Sequence, residues 1–215
     1  KYNAEKFFFN SNLYYMGYKN QLVLTGALDD VGSPIRENSG KSYRTGIELE
    51  SVYKATNKLN ISANISFSEN KNVDYKTNYN GVITDWGDTD ISFSPNVISS
   101  AGIQFSASQD LTFTLLNKFV GNQYMSNTES NISRLSSYST TDLNILYTIK
   151  NSAYFSEIIV TAMINNIFNK EYVSNGYYYT YDDTWSDPNL ITTIEGTGYY
   201  PQAKRNFLLG LTFKL

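Results

Sequence analysis

The chain has 215 residues, 17 Lys+Arg against 20 Asp+Glu, a formal charge of −3, and neither cysteine nor histidine. Those absences exclude disulfide frameworks, thiolate and imidazole metal sites, and Ser-His-Asp or Cys-His catalysis by these residues. The acidic balance suits nucleic-acid phosphate poorly, and no apolar run approaches the ~18 residues of a membrane-spanning helix. What stands out is 19 Tyr and 12 Phe, a composition shared by secreted β proteins and by membrane barrels with a wet interior.

The dominant period is two. Leu59, Ile61, Ala63, Ile65 and Phe67 alternate with Asn60, Ser62, Asn64, Ser66 and Ser68. Successive side chains of a strand point to opposite faces, so such a segment has one apolar and one wet side. About eight segments of this kind are predicted along the chain. They run from Phe7 to Val23, Ser42 to Tyr53, Leu59 to Tyr75, Val97 to Ala107, Leu111 to Met125, Tyr138 to Ile149, Ile158 to Val173, and Arg205 to Leu215. Lys1 and Tyr2 read as the tail of a preceding strand, and the whole as a mature or internal piece of a longer chain. Several segments are long enough for a tilted strand to cross a bilayer, which takes about 9–11 residues.

Connections alternate in length. Asn3 to Lys6, Lys54 to Lys58, Ser108 to Asp110 and Asn151 to Glu157 are short. Leu24 to Lys41, Lys76 to Asn96, Ser126 to Ser137 and Ser174 to Lys204 are long. Tight turns at one end and long loops at the other are the habit of outer-membrane barrels. Tyr14, Tyr15, Tyr18, Phe119, Tyr124, Tyr172 and Tyr177 to Tyr179 cluster near strand ends, where an interfacial girdle is expected.

Four motifs, in order, resemble those of TonB-dependent outer-membrane receptors. They are the strand Tyr14 to Val23; Tyr43-Arg44-Thr45-Gly46-Ile47-Glu48-Leu49-Glu50; the run from Val160 to Tyr172 with Asn165-Asn166-Ile167-Phe168-Asn169-Lys170-Glu171-Tyr172 at its end; and Tyr200-Pro201 through Phe207. The resemblance implies an all-β, transmembrane antiparallel barrel, with residues 1–215 forming the C-terminal part of a plugged barrel of about 22 strands. It also implies that the plug and the TonB-coupling box lie upstream, so the expected partners are the rest of the barrel and plug, outer-membrane lipid and TonB through that N-terminal part. A surface lipoprotein over the mouth is a further candidate partner on which the sequence is silent. Phe213 and Leu215 follow the outline of a barrel-assembly signal, with Leu where Phe is usual, and Leu215 is expected to be the natural C-terminus.

The wet face should carry Glu48, Glu50, Asn60, Asn64, Lys118, Asp142 and Asn144 as a polar lining, without catalysis. Ligand contact is expected in the long loops, at Trp86, Tyr177, Tyr179 and Trp185, whose rings can stack on a bulky solute. Carboxylates flank both tryptophans, yet neither run has EF-hand spacing, so no metal and no cofactor is expected. Siderophore, haem, cobalamin, glycan and peptide all remain open as solutes. A small eight-stranded barrel with an adhesion or anchor role and a secreted carbohydrate-binding β-sandwich remain alternative readings.

Overall fold

Period-two patterning becomes backbone pairing in the computed structural model, which describes residues 1–29, 31–79, 82–150, 154–187, 190 and 192–215. In chain order the strands are β1 (Tyr2–Asn3), β2 (Phe7–Lys19), β3 (Leu22–Leu28), β4 (Pro34–Asn38), β5 (Lys41–Lys54), β6 (Leu59–Tyr79), β7 (Val82–Asp90) and β8 (Val97–Ser106). They continue with β9 (Leu111–Val120), β10 (Gln123–Tyr124), β11 (Arg134–Leu135), β12 (Tyr138–Lys150), β13 (Glu157–Asn165), β14 (Val173–Asp183), β15 (Thr192–Pro201) and β16 (Asn206–Lys214). The only helical turn among the described residues is the 3₁₀ segment Asn131–Ser133.

A ten-stranded antiparallel sheet runs β1-β2-β5-β6-β8-β9-β12-β13-β16, with β7 paired to β6. Each of the expected strand segments contributes one wall strand, and β1 pairs with β2 as the tail of a preceding strand would. Register carries the sequence pattern across the sheet. One row reads Phe7, Tyr53, Ile61, Ile103, Leu115, Leu143, Ile164, Phe207, every residue opposite the next. On the other face Asn10, Glu50, Asn64, Ser100, Lys118 and Thr140 form an equally unbroken polar row. Asn64 donates to Ser100 Oγ at 2.8 Å and Asn12 to Glu48 at 3.3 Å on that polar side.

The apolar face is bare. Ile61, Ile103, Phe207 and Leu209 are exposed, Leu209 by 74 %. The wall is open as well, since β16 pairs only with β13 and β2 with β1 and β5. A closed eight-stranded barrel would pair β2 with β16, and a sandwich would bury the apolar row under a second sheet. Neither is seen among the described residues.

The long connections are structured rather than loop-like. The first expected segment breaks at Asn20 (φ 57°) and restarts as β3, which pairs with β4. The seventh stops at Asn165, short of Val173, because Asn166 (φ 51°) and Asn169 (φ 55°) adopt the left-handed conformation that Asn tolerates. Asn166 donates its backbone N–H to Asp142 (2.7 Å) and its side-chain amide to Lys170 O (2.8 Å) and Ala203 O, while accepting from Lys170 N–H (2.8 Å). Asn169 accepts from Arg205 N–H at 3.1 Å, which ties the exit of β13 to the entry of β16. Of the short turn after β12, residues 151–153 lie outside the described residues.

Asn166 is 4 % exposed, so Asn166→Ala leaves several backbone groups unpaired and strains the turn. The full receptor is expected to lose about 2–3 kcal/mol of stability, read as a lower unfolding midpoint of the folded band on semi-native gels.

Candidate functional site

Burial concentrates at one end of the wall, where the long connections meet. Val23, Tyr75, Ile91, Val120, Met125 and Leu135 are the buried apolar residues, with Asn72, Asn127 and Ser133 buried beside them. Asn127 is the keystone. Its carbonyl oxygen accepts from Asn72 (3.3 Å) and from Ser92 N–H (2.9 Å), and its amide donates to Leu24 O (3.0 Å). One side chain thereby joins β3, β6 and the stretch after β7 to the loop between β10 and β11. Glu129 in the same loop accepts from Asp90 N–H (2.5 Å), and Lys71 bridges Asp90 (2.8 Å) and Glu129 (3.4 Å).

The β14/β15 hairpin docks against this loop through Glu195, which accepts from Tyr178 Oη at 2.6 Å and Ser130 Oγ at 3.0 Å. Tyr199 adds a bond to Ile132 O at 3.1 Å. Gly26 (φ 90°) makes room for Tyr178, since a Cβ there would lie 2.8 Å from its ring. Thr180 then pairs with Ala27 in a parallel bridge, so β14 and β3 meet although the wall strands below them are far apart in the sheet.

Between these hairpins lies a cavity of about 470 Å³. Its lining combines threonines with Trp86, Tyr178, Tyr181 and the carboxylates of Glu37, Asp182 and Glu195, and among the described residues includes no Lys or Arg. Trp86 donates its indole N–H to Thr77 Oγ1 at 3.0 Å, which fixes the ring, and stays 43 % exposed. Behind the lining, the Tyr75 hydroxyl is fully buried without a partner, and Glu37 Oε1 also lacks one. Burial, and then the nearby Glu37 carboxylate, push the Tyr75 hydroxyl up to about 12. Burial also raises Glu37. Tyr178 is held above the ordinary phenol range by burial first and the Glu195 bond second.

Of the four residues expected to meet ligand, Trp86 lines the cavity and Tyr177, Tyr179 and Trp185 do not. Strand alternation divides the tyrosine run: Tyr178 and Thr180 face the cavity, while Tyr177 and Tyr179 lie on the other side of β14. There Tyr200, Tyr177, Tyr179, Tyr181 and Trp185 form a ladder with neighbouring ring centroids 6.0–6.3 Å apart, and Tyr181 also reaches the edge of the cavity. Tyr177 sits opposite Gly198 and Tyr179 opposite Gly196, and a Cβ on either glycine would overlap the tyrosine ring. Aromatic rings laid over cross-strand glycines stabilise a hairpin in just this way. Tyr178 is expected from sequence as a girdle aromatic and lines the cavity instead, a side that the period within Tyr177–Tyr181 carried, whereas Glu37 and Glu195 are not singled out from sequence.

The girdle tyrosines divide likewise. Tyr15 stacks on Tyr43 at 6.1 Å on the apolar side, whereas Tyr14 lies on the polar face with its hydroxyl 2.8 Å from where a Cβ on Gly46 would sit. Carboxylates around the tryptophans have protein partners: Asp85 pairs with Lys76 (2.9 Å), Asp88 accepts from Asp74 N–H (3.0 Å), and Asp183 accepts from Trp185 and Ser186 N–H.

A family model described as TonB dependent receptor-like, beta-barrel, matches residues 1–167. Among solved structures, the siderophore receptor PiuA from Acinetobacter baumannii superposes with a TM-score of 0.67 at 18 % identity, over 97 % of this chain and 26 % of that one. The copper transporter OprC gives 0.67 at 16 %, over 99 % and 30 %. The ferric-catecholate import receptor Fiu from E. coli K12 gives 0.63 at 15 %, over 96 % and 25 %. At these identities the likeness is one of fold, and the chain spans under a third of each relative. No curated protein sequence matches.

Two outcomes follow from the packing. Gly198→Ala is expected to destabilise the folded receptor by about 1–3 kcal/mol, with recovery in the Gly198→Ala/Tyr177→Ala double variant, compared by thermal melts. Because Tyr75 ionises at 10.0 when unfolded and at about 12 when folded, its stability contribution is complete below pH 10 and lost as pH rises through 12. Tyr75→Phe is expected to remove that alkaline loss and to keep or raise neutral-pH stability by about 1 kcal/mol, read by tyrosinate absorbance alongside melting.

Proposed function

Because the chain belongs to the TonB-dependent receptor β-barrel family, we propose that it builds the C-terminal wall and outer mouth of a plugged outer-membrane barrel of about 22 strands. That receptor imports a scarce, bulky solute. The apolar row from Phe7 to Phe207 carries this reading. An exposed apolar band that crosses the whole sheet in register fits hydrocarbon, and the matching polar row fits a water-filled lumen. An open sheet edge is not tolerated in lipid, so both ends of the wall call for further strands of the same receptor.

On this reading the long-connection end faces outward, and solute enters by way of the cavity beneath Trp86 before the plug moves. The plug and the contact with TonB belong to the rest of the receptor. The structurally similar receptors are named for siderophore, ferric catecholate and copper, so a metal or its chelate is the coarse solute class that agrees with them. Tyr177, Tyr179 and Trp185 offer a second aromatic surface beside the mouth, on the outer side of β14.

Face assignment is tested by paired charges. Ile103→Arg, on the apolar row, should cost the full receptor about 2–4 kcal/mol and deplete its folded form in outer membranes, whereas Ser100→Arg on the polar row should leave folding intact. Equal effects would remove the membrane reading. Transport is tested in a receptor-deletion strain screened for uptake of candidate solutes; Trp86→Ala is expected to weaken uptake of the affected solute at least about tenfold.

A further inference from the structure

The apolar side of β2 and β5 ends in an uncompensated pair of charges. From Phe7 to Lys19 the two strands pair without a shift in register, so their odd-numbered residues share the face that carries Phe7 and Tyr53. On β2 that face carries Leu13, Tyr15, Gly17 and Lys19, and on β5 Leu49, Ile47, Tyr43 and Lys41. Lys19 lies directly opposite Lys41, in the last pair before the chain leaves the wall. Both lysines are exposed, and among the described residues neither side chain has a partner. Like charges directly opposite each other destabilise a sheet. Lys71, opposite Tyr43 on the same face, shows the usual remedy, since it bridges Asp90 (2.8 Å) and Glu129 (3.4 Å).

The aromatics beneath the pair set its level. From Tyr53 to Tyr43 the strand rises about 33 Å at about 3.3 Å per residue, or about 25 Å along the membrane normal at a tilt of about 40°, the height of an outer-membrane apolar band. Tyr15 stacks on Tyr43 at 6.1 Å and marks the upper edge of that band. A Cβ on Gly17 would lie 3.8 Å from the Tyr15 hydroxyl, so the ring leans up the strand toward Lys19. The chain that follows turns the other way: Ser42, on the polar face, donates to Gln21 at 2.8 Å. Both lysines are thereby left uncovered on the membrane side.

We propose that Lys19 and Lys41 bind a phosphate group of an outer-leaflet lipid, with the Tyr15 hydroxyl at its lower edge and the acyl chains along Leu13, Ile47 and Leu49. A phosphate accepts charge-assisted bonds from both ammonium groups and removes their repulsion. Lysine stems run along the apolar surface while their heads reach the headgroup layer, where lipid supplies both the anion and the apolar contact. The inference rests on the membrane reading of the wall and adds to it a particular lipid group at a particular place.

Amine labelling of the full-length receptor, delipidated in dodecyl maltoside and read by peptide mass spectrometry, tests the site. Diphosphoryl lipid A is expected to slow acetylation of Lys19 and Lys41 at least about fivefold, and phosphatidylcholine to leave it unchanged. By native mass spectrometry the Lys19→Gln/Lys41→Gln double variant should bind diphosphoryl lipid A at least about fivefold more weakly. Lys54→Gln, on the polar face, should match the native receptor. Labelling uses the native receptor and so stands even where the double variant misfolds. Equal protection by the two lipids, unchanged affinity in the double variant, or protection by millimolar inorganic phosphate as strong as that by lipid A would overturn the inference. Failure of the membrane reading is seen separately, as equal depletion of Ile103→Arg and Ser100→Arg from outer membranes.

Discussion

Backbone pairing in register is the constraint on which the rest depends. Side chains of a strand alternate with a period of two, so a slip of one residue between neighbours would exchange the faces. Eight wall strands in this chain pair without such a slip between Phe7 and Phe207. Apolar residues therefore share one surface and polar residues the other. A single sheet of this kind buries neither face by itself. It is stable only where something apolar covers Ile61 and Ile103 while water reaches Asn64 and Lys118, and a bilayer around a wet lumen meets both demands.

The end with long connections obeys a different rule. Strands that leave the wall can no longer satisfy their groups by pairing alone, and buried polar side chains take over. Asn127 does this for three neighbouring segments, and Asn166 and Asn169 do it for the exit of β13. Two of the motifs that resemble receptor signatures acquire a physical meaning here. The Asn-x-x-Asn spacing provides left-handed turns with amides that reach the backbone, and Gly46 leaves room for Tyr14 on the next strand. Hairpins fastened in this way enclose a cavity whose charge has one sign.

Strand existence was legible because Leu59 to Phe67 and its counterparts alternate without interruption, and alternation is a local property. Strand ends were less so. The segments ending at Val23 and Val173 looked continuous because apolar and aromatic residues persist past Asn20 and Asn166, while the breaks come from left-handed backbone at Asn20 in the first and at Asn166 and Asn169 in the second. The long connections looked like loops because turn-forming Thr, Asn, Asp and Gly recur in them, yet β3 pairs with β4, β14 with β15, and β7 with the end of β6, each as a hairpin within its own stretch of chain. Trp86, which lines the cavity, stood out in the sequence because it is a large ring among polar neighbours. Glu37 and Glu195 did not, since nothing near them in sequence marks them.

By itself the sequence determined that this protein is a two-faced antiparallel wall with tight turns at one end, because face and period follow from the order of residues along each strand. Only the tertiary structure decided which side chains share the mouth. That choice depends on the crossing of β14 onto β3 and on the docking of Glu195 against Ser130, contacts between residues 65 positions apart or more. The side on which Tyr177 and Tyr178 come to lie, one over a glycine and the other beside the cavity, is set by where those hairpins lean.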